Sequence, residues 1–247
     1  MTVAEPTLFC LRVRYVKQGR LKHLGHLEVA RTVERSVRRA GLPYAVTQGF
    51  SPHMRIAFSS ALPVATSSVC EWYDLVLKSY VPAPEALERL TAATPKDLAP
   101  TQAGYIDMRA TTLGLLITRQ DYHIHLATSY TAEDIDRALG TVASLGKVNY
   151  LRGKKEKVLD LSATLAAWFV EQADGGVNIT LKTRSSNEGS LRPEILLTAI
   201  DRVLTGTLET EPITSTGTPE LACFTRIEVE RADQYGEDEQ GGRIDPL

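Results

Sequence analysis

The segment Lys17 to Ile56 carries the densest set of side chains able to hold an anion or move a proton. Arg20, Lys22, Arg31, Arg35, Arg38, Arg39 and Arg55 supply cations, and His23, His26 and His53 supply three of the five imidazoles in the chain. Guanidinium groups bind phosphate oxygens through paired hydrogen bonds. Neutralising a polyanion also releases the counterions condensed on it. An imidazole exchanges protons near neutral pH, so two of them beside a phosphate have the chemistry to act as base and acid on RNA. Residues 1–60 hold ten Lys or Arg against three acids, a local charge of +7; the whole chain is at −2, so residues 61–247 carry −9. That asymmetry points to a polyanionic partner.

Within this segment Gln48-Gly49-Phe50-Ser51-Pro52-His53-Met54 is the strongest binding motif. Gly49 allows a turn or a close backbone approach, and Pro52 stiffens the next turn. Phe50 offers a ring on which a base stacks, while Gln48, His53 and Arg55 supply polar contacts. The competing reading makes Phe50 a core plug and the loop a connector. Arg31, Arg35 and Arg38 fall on one face of a predicted helix, where they either clamp phosphates or form a solvated face compensated by Glu28 to Arg31 and Glu34 to Arg38 pairs. Arg12 and Arg14 alternate along a predicted strand and, with Lys17, enlarge the patch if they share its face. His23 and His26 equally suit the satisfaction of free amides at a helix start.

The elements that must position these residues follow from periodicity. A strand is expected over Leu8 to Val16, a turn around Gly19 and a helix over Leu24 to Ala40, with Ala30, Val33, Val37 and Ala40 on one face. Gly41 and Pro43 stop that helix. Short strands over Tyr44 to Thr47 and Arg55 to Ser59 flank the loop. A strand over Glu71 to Leu77, a helix over Glu85 to Ala93 and a strand over Ala103 to Met108 complete the split β-α-β order of a ferredoxin-like sandwich. A similar order follows: a strand over Tyr122 to Thr128, a helix over Ala132 to Ala143 capped by Thr131, and a hairpin turning near Gly153. Strands over Leu165 to Val170 and Val177 to Thr183 flank Asp174-Gly175-Gly176, a helix opens at Arg192-Pro193-Glu194, and a strand over Phe224 to Val229 closes the set. The expected architecture is α+β, with two ferredoxin-like units of antiparallel sheet and covering helices over 1–110 and 111–231. Gly217 to Pro219 and the acidic tail 232–247 read as mobile.

Composition bounds the chemistry. With 43% hydrophobic and 23% charged residues the chain reads as globular, and no run reaches the 18 apolar residues of a membrane span, so a cytoplasmic location is expected. Cys10, Cys70 and Cys223 are widely spaced and read as reduced thiols in or near the core. No metal or cofactor set is evident, and no phosphate-loop, dinucleotide, zincin or hydrolase-elbow motif occurs. His123 and His125 share one strand face and read as half-exposed sheet residues. Lys147, Arg152, Lys154, Lys155 and Lys157 surround the second hairpin, as a second phosphate contact or as a solvated turn.

Gly19-Arg20-Leu21, His26-Leu27-Glu28, Arg38-Arg39-Ala40-Gly41-Leu42-Pro43 and the Gln-Gly-Phe-Ser-Pro-His run resemble the radical-SAM-associated proteins of unknown function, encoded beside or fused to a large radical SAM protein. Lys154-Lys155, Asp160-Leu161 and Gly189 to Glu194 resemble that family's later landmarks. Gly25 and Met54 depart from it, standing where Ser and Pro are usual. The resemblance implies a radical SAM partner and a role in modifying RNA or a translation component. Three cluster cysteines in one motif are missing, so the implied role is that of an accessory subunit. Expected functions are therefore an accessory protein binding RNA or another phosphate-rich molecule, a metal-independent endoribonuclease using His23, His26 or His53, or a subunit docking an acidic partner protein.

Overall fold

A computed structural model describes residues 7–186, 189–208, 212–214 and 221–247. The chain divides into two compact units, one of Met1–Pro63, Ser67–Ile117 and Gly236–Leu247, the other of Val64–Thr66 and Thr118–Tyr235. Both combine antiparallel sheet with helices.

In the first unit β1 (Phe9–Lys17) alternates as its sequence demands: Leu11, Val13 and Tyr15 enter one core, while Cys10, Arg12 and Arg14 face the other way. The helix α1 (His26–Arg39) begins after Gly25 and buries Val29, Val33 and Val37 along one stripe. It ends where Gly41 takes φ +62 and Leu42 donates its N–H to the Val37 carbonyl at 3.4 Å. Next come β2 (Ile56–Phe58), β3 (Ser67–Leu77), α2 (Ala83–Ala93, with Pro in its first turn) and β4 (Pro100–Ile106). β1 pairs antiparallel with β3 and β4, and β2 pairs with β3, giving the order β2-β3-β1-β4. The two helices cover the face bearing Leu11, Val13, Tyr73, Leu75 and Leu77. Full burial of each such side chain contributes about 1.5–3 kcal/mol.

After α3 (Leu113–Leu116), the second unit runs β5 (Arg119–Ala127), α4 (Ala132–Ser144), β6 (Lys147–Arg152), β7 (Lys155–Asp160), α5 (Leu161–Thr164), β8 (Leu165–Ala173), β9 (Gly176–Ser186), β10 (Gly189–Ser190), α6 (Pro193–Thr205), β11 (Ile213–Thr214) and β12 (Arg226–Glu237). β5 pairs antiparallel with β9 and β12, and β8 with β9, so the order is β8-β9-β5-β12. The β6-β7 hairpin is an insertion between α4 and β8, and β11 joins β6 in parallel. Thr131 caps α4 by accepting the Asp134 N–H. Ile124, Leu126, Ile135, Leu139, Ile179, Leu181, Ile195 and Ile200 centre this unit's core.

Residues 232–247 are not a mobile tail. β12 continues to Glu237, and β13 (Arg243–Ile244) folds back on its end, with Gly236 opposite Ile244. The cause is apolar and polar cover for the first unit's sheet face opposite α1 and α2. On that face Trp72, Leu113 and Ile117 cluster, the Leu247 side chain lies against Gly104, and the Pro246 carbonyl accepts a hydrogen bond from Arg12. Gly217 to Pro219 lie outside the described residues. No helix among those described is long and apolar enough to cross a membrane.

Candidate functional site

α1 and the Gln-Gly-Phe loop both meet the part of the first unit's sheet where residues 43–58 pair with β3. Tyr44 bridges Leu77, and the Ala45 N–H bonds the Val76 carbonyl at 2.8 Å. The chain then leaves the edge through the Val46–Met54 bridge and returns to it as Arg55 donates to the Ala45 carbonyl at 2.9 Å. α1 is pinned along this edge at both ends, by the His26 ring against Phe58 (5.6 Å, edge-on) and by Arg38 over the Tyr44 ring (5.9 Å). Met54 anchors the base of the loop in the core beneath.

Arg31, Arg35, Arg38 and Arg39 are exposed on α1. Their electrostatics differ from the expected ion-pair ladder. Glu28 turns back to accept the Gly25 N–H at 2.8 Å, serving the helix start rather than Arg31. Arg35 donates to the Arg31 carbonyl at 3.2 Å, and Arg38 alone approaches an acid, Glu34, at 3.5 Å. Three of the four guanidinium groups therefore have no ion-pair partner among the described residues. Gln48, Phe50 and His53 are exposed as well, and Phe50 is not a core plug, since its whole ring stands in solvent. The loop is closed by the Thr47 N–H to the His53 carbonyl at 2.8 Å, and the His53 ring meets Ser51 Oγ at 3.3 Å. Arg55 is half-buried at the loop's base.

Three expected members do not join this surface. Arg12 and Arg14 project from the sheet face opposite α1. Arg12 is buried, forks onto Asp74 at 2.7 and 2.8 Å, and donates to the Thr111 and Pro246 carbonyls. Arg14 lies over the Trp72 ring at 5.8 Å. Lys17 is buried, its ammonium 3.4 Å from the Pro63 carbonyl, in a recess lined also by Tyr15, His26, Phe58, Ser59 and the buried Glu71. The physical reason is common to all three. Alternation fixes which residues share a face but not whether that face is covered, and this sheet is covered on both. Arg20 and His23 are exposed, but in the Gly19–His23 turn before α1. The 14-residue helix, about 20 Å long, separates them from Arg38 and Arg39.

The other candidates resolve simply. No hydrogen bond joins His23, His26 and His53 among the described residues, and no group of three His, Cys, Asp or Glu there is placed to hold a metal. His125 Nδ1 meets Asn178 Oδ1 at 2.8 Å across β5 and β9. The cysteines are free thiols, and burial pushes Cys10 up to about 11, which keeps it protonated at neutral pH. Asp160 caps α5 by accepting from Ser162 Oγ at 2.6 Å and the Ala163 N–H at 3.2 Å, bonds that lower its pKa. The sequence pattern does not single out Tyr80, exposed and stacked on Tyr105; its only sequence signal is an aromatic residue placed directly after a strand.

Fold and surface together define a two-unit α+β protein whose first unit displays a largely uncompensated arginine helix and an exposed aromatic loop. The chain belongs to the family described as "Uncharacterized protein conserved in bacteria (DUF2344)", whose profile matches residues 10–193. No curated protein matches the chain. Among solved structures, a chain of a Cbf5-Nop10-Gar1 complex is similar at 12% identity and a TM-score of 0.45, over 93% of this chain and 50% of that one. This chain thus spans half the length of that match. An unknown protein from Galdieria sulphuraria is similar at 9% identity and a TM-score of 0.25, over 81% of this chain and 94% of that one.

Proposed function

We propose that this protein is an accessory subunit that binds RNA, or another phosphate-rich polymer, on the α1 and loop surface and presents it to a radical SAM enzyme. The carrying observation is the run of exposed arginines on α1 with a single acid at 3.5 Å among them, on a helix whose Arg38 covers Tyr44 in the segment leading to a loop that leaves Phe50 entirely in water. An exposed ring adds no burial to the fold, and a base that stacks on it removes apolar surface from water while bringing its own phosphates to cations of the same unit. The radical SAM partner is what the family resemblance implies. We also read both units as ferredoxin-like, since each follows strand, helix, strand, strand, helix, strand with the first strand central and paired to the third and fourth.

The test is fluorescence anisotropy of a labelled RNA against the wild type and Arg35→Glu/Arg38→Glu. Roughly tenfold or greater weakening at low salt is expected, with a shallower salt slope in a variant that stays folded but melts somewhat lower, since Arg38 also covers Tyr44 and pairs with Glu34. Equal affinity in a folded double variant removes α1 from the binding surface.

A further inference from the structure

A second aromatic surface lies at the end of the first unit's sheet where α1 finishes. Phe9 opens β1 opposite Leu77, Leu77 also bridges Tyr44, and the Lys78 N–H bonds the Pro43 carbonyl at 2.7 Å. Arg38 covers Tyr44 at the same end. There a shallow groove of about 850 Å³, counted with its open mouth, is lined by Phe9, Tyr80, Tyr105, Met108 and Arg109. Tyr80 and Tyr105 stack at 5.0 Å and 29°, and Phe9 meets both edge-on at 5.7 and 6.2 Å. The platform is fixed: the Tyr105 hydroxyl donates to the Val81 carbonyl at 2.7 Å and accepts its N–H at 3.3 Å. Tyr80 is 60% exposed although one face rests on Tyr105, so its other face is open. Lys78 and Arg109 are exposed beside it, while the nearby acid Asp107 is engaged by the Arg109 backbone N–H at 2.7 Å.

We infer that this groove is a second stacking station for an unpaired base, and that the ligand of the first unit is therefore a single strand rather than a duplex. The inference rests on the reading of α1 as a phosphate-binding element. Open ring faces flanked by cations suit bases whose own faces are free, and in a duplex those faces are already stacked on each other. Phe50 and Tyr80 are both rings that the fold leaves largely in water, and Arg109 lines the groove of the second. A proline-rich or acidic peptide would use the cations or the rings, but neither needs the alternation of both.

The experiment compares three probes of equal length, a single-stranded oligouridine, an RNA duplex and an abasic strand, against the wild type, Tyr80→Ala and Tyr80→Phe. Expected are wild-type preference for the oligouridine over both other probes, a loss of about tenfold for that probe in Tyr80→Ala, and recovery in Tyr80→Phe. Salt-sensitive binding that is equal for all three probes, or unchanged in Tyr80→Ala, overturns the single-strand inference and leaves the α1 reading standing. Absence of salt-sensitive binding to any probe by the wild type overturns the α1 reading itself.

Discussion

Arg12 shows how an apparent ligand-binding cation becomes a structural one. Its guanidinium satisfies four acceptor contacts, two on Asp74 and two on backbone carbonyls, in a site almost closed to solvent. Removing either member of such a pair strands a buried charge, so Arg12→Ala or Asp74→Ala should lower unfolding free energy in urea by about 3–5 kcal/mol. A loss below about 1 kcal/mol, the range of surface pairs, would assign Arg12 back to the surface. Glu194 is the opposite case. Burial raises its pKa against the opposing pull of Arg192 and Arg231. A raised carboxylate means the unfolded chain gives up its proton first, so the contribution of Glu194 to stability is fully present below the ordinary value of 4.5 and is lost as pH climbs above it. In Glu194→Gln that decline should flatten, read as denaturation midpoints across pH; an identical pH profile would discount burial of the carboxyl.

Among the elements, α1 was legible in the sequence down to its Gly41 stop, because valine spacing and a terminating glycine are local signals. The loop was legible as a turn through Gly49 and Pro52, but whether Phe50 plugged the core or faced solvent was not, since burial depends on the tertiary fold. The cover on the sheet's reverse face was not, since nothing local in Leu113 to Leu116 or in 236–247 announces a partner far away in sequence. Two glycines make the element-level argument testable. Gly176, the first residue of β9, has no room for a methyl group, whose position coincides with the Leu126 carbonyl oxygen. Gly176→Ala should cost roughly 2–4 kcal/mol in chemical denaturation. Gly140 sits inside α4 with open space around it, so Gly140→Ala should add about 0.5–1 kcal/mol by the same measurement. If Gly176→Ala is neutral or stabilising, the β5-β9 register, with Ala127 opposite Gly176, is wrong.

Across the whole molecule the charge separation read from composition persists, but its positive part splits in two. One part faces solvent along α1, and the other, Arg12 and Lys17, is internal. The count of +7 thus overstated the surface available to a polyanion. Removing residues 236–247 should uncover the sheet at Gly104 and free Arg12 of one acceptor. The expected outcome is a lower first melting transition and faster proteolysis within residues 7–117, with the rest of the chain protected. Unchanged proteolysis there would make that segment dispensable.

The same segment has a consequence for biosynthesis. A ribosome releases the chain in order, and domains generally fold as they emerge. Arg12 leaves the exit tunnel early, yet one of the carbonyls it bonds lies 234 residues downstream. The second unit is complete before that carbonyl is made, so the unit begun first is finished second. Until then residues 113–117 are the cover on that side of the sheet, and the strip around Gly104 and Arg12 waits for the last residues to close it.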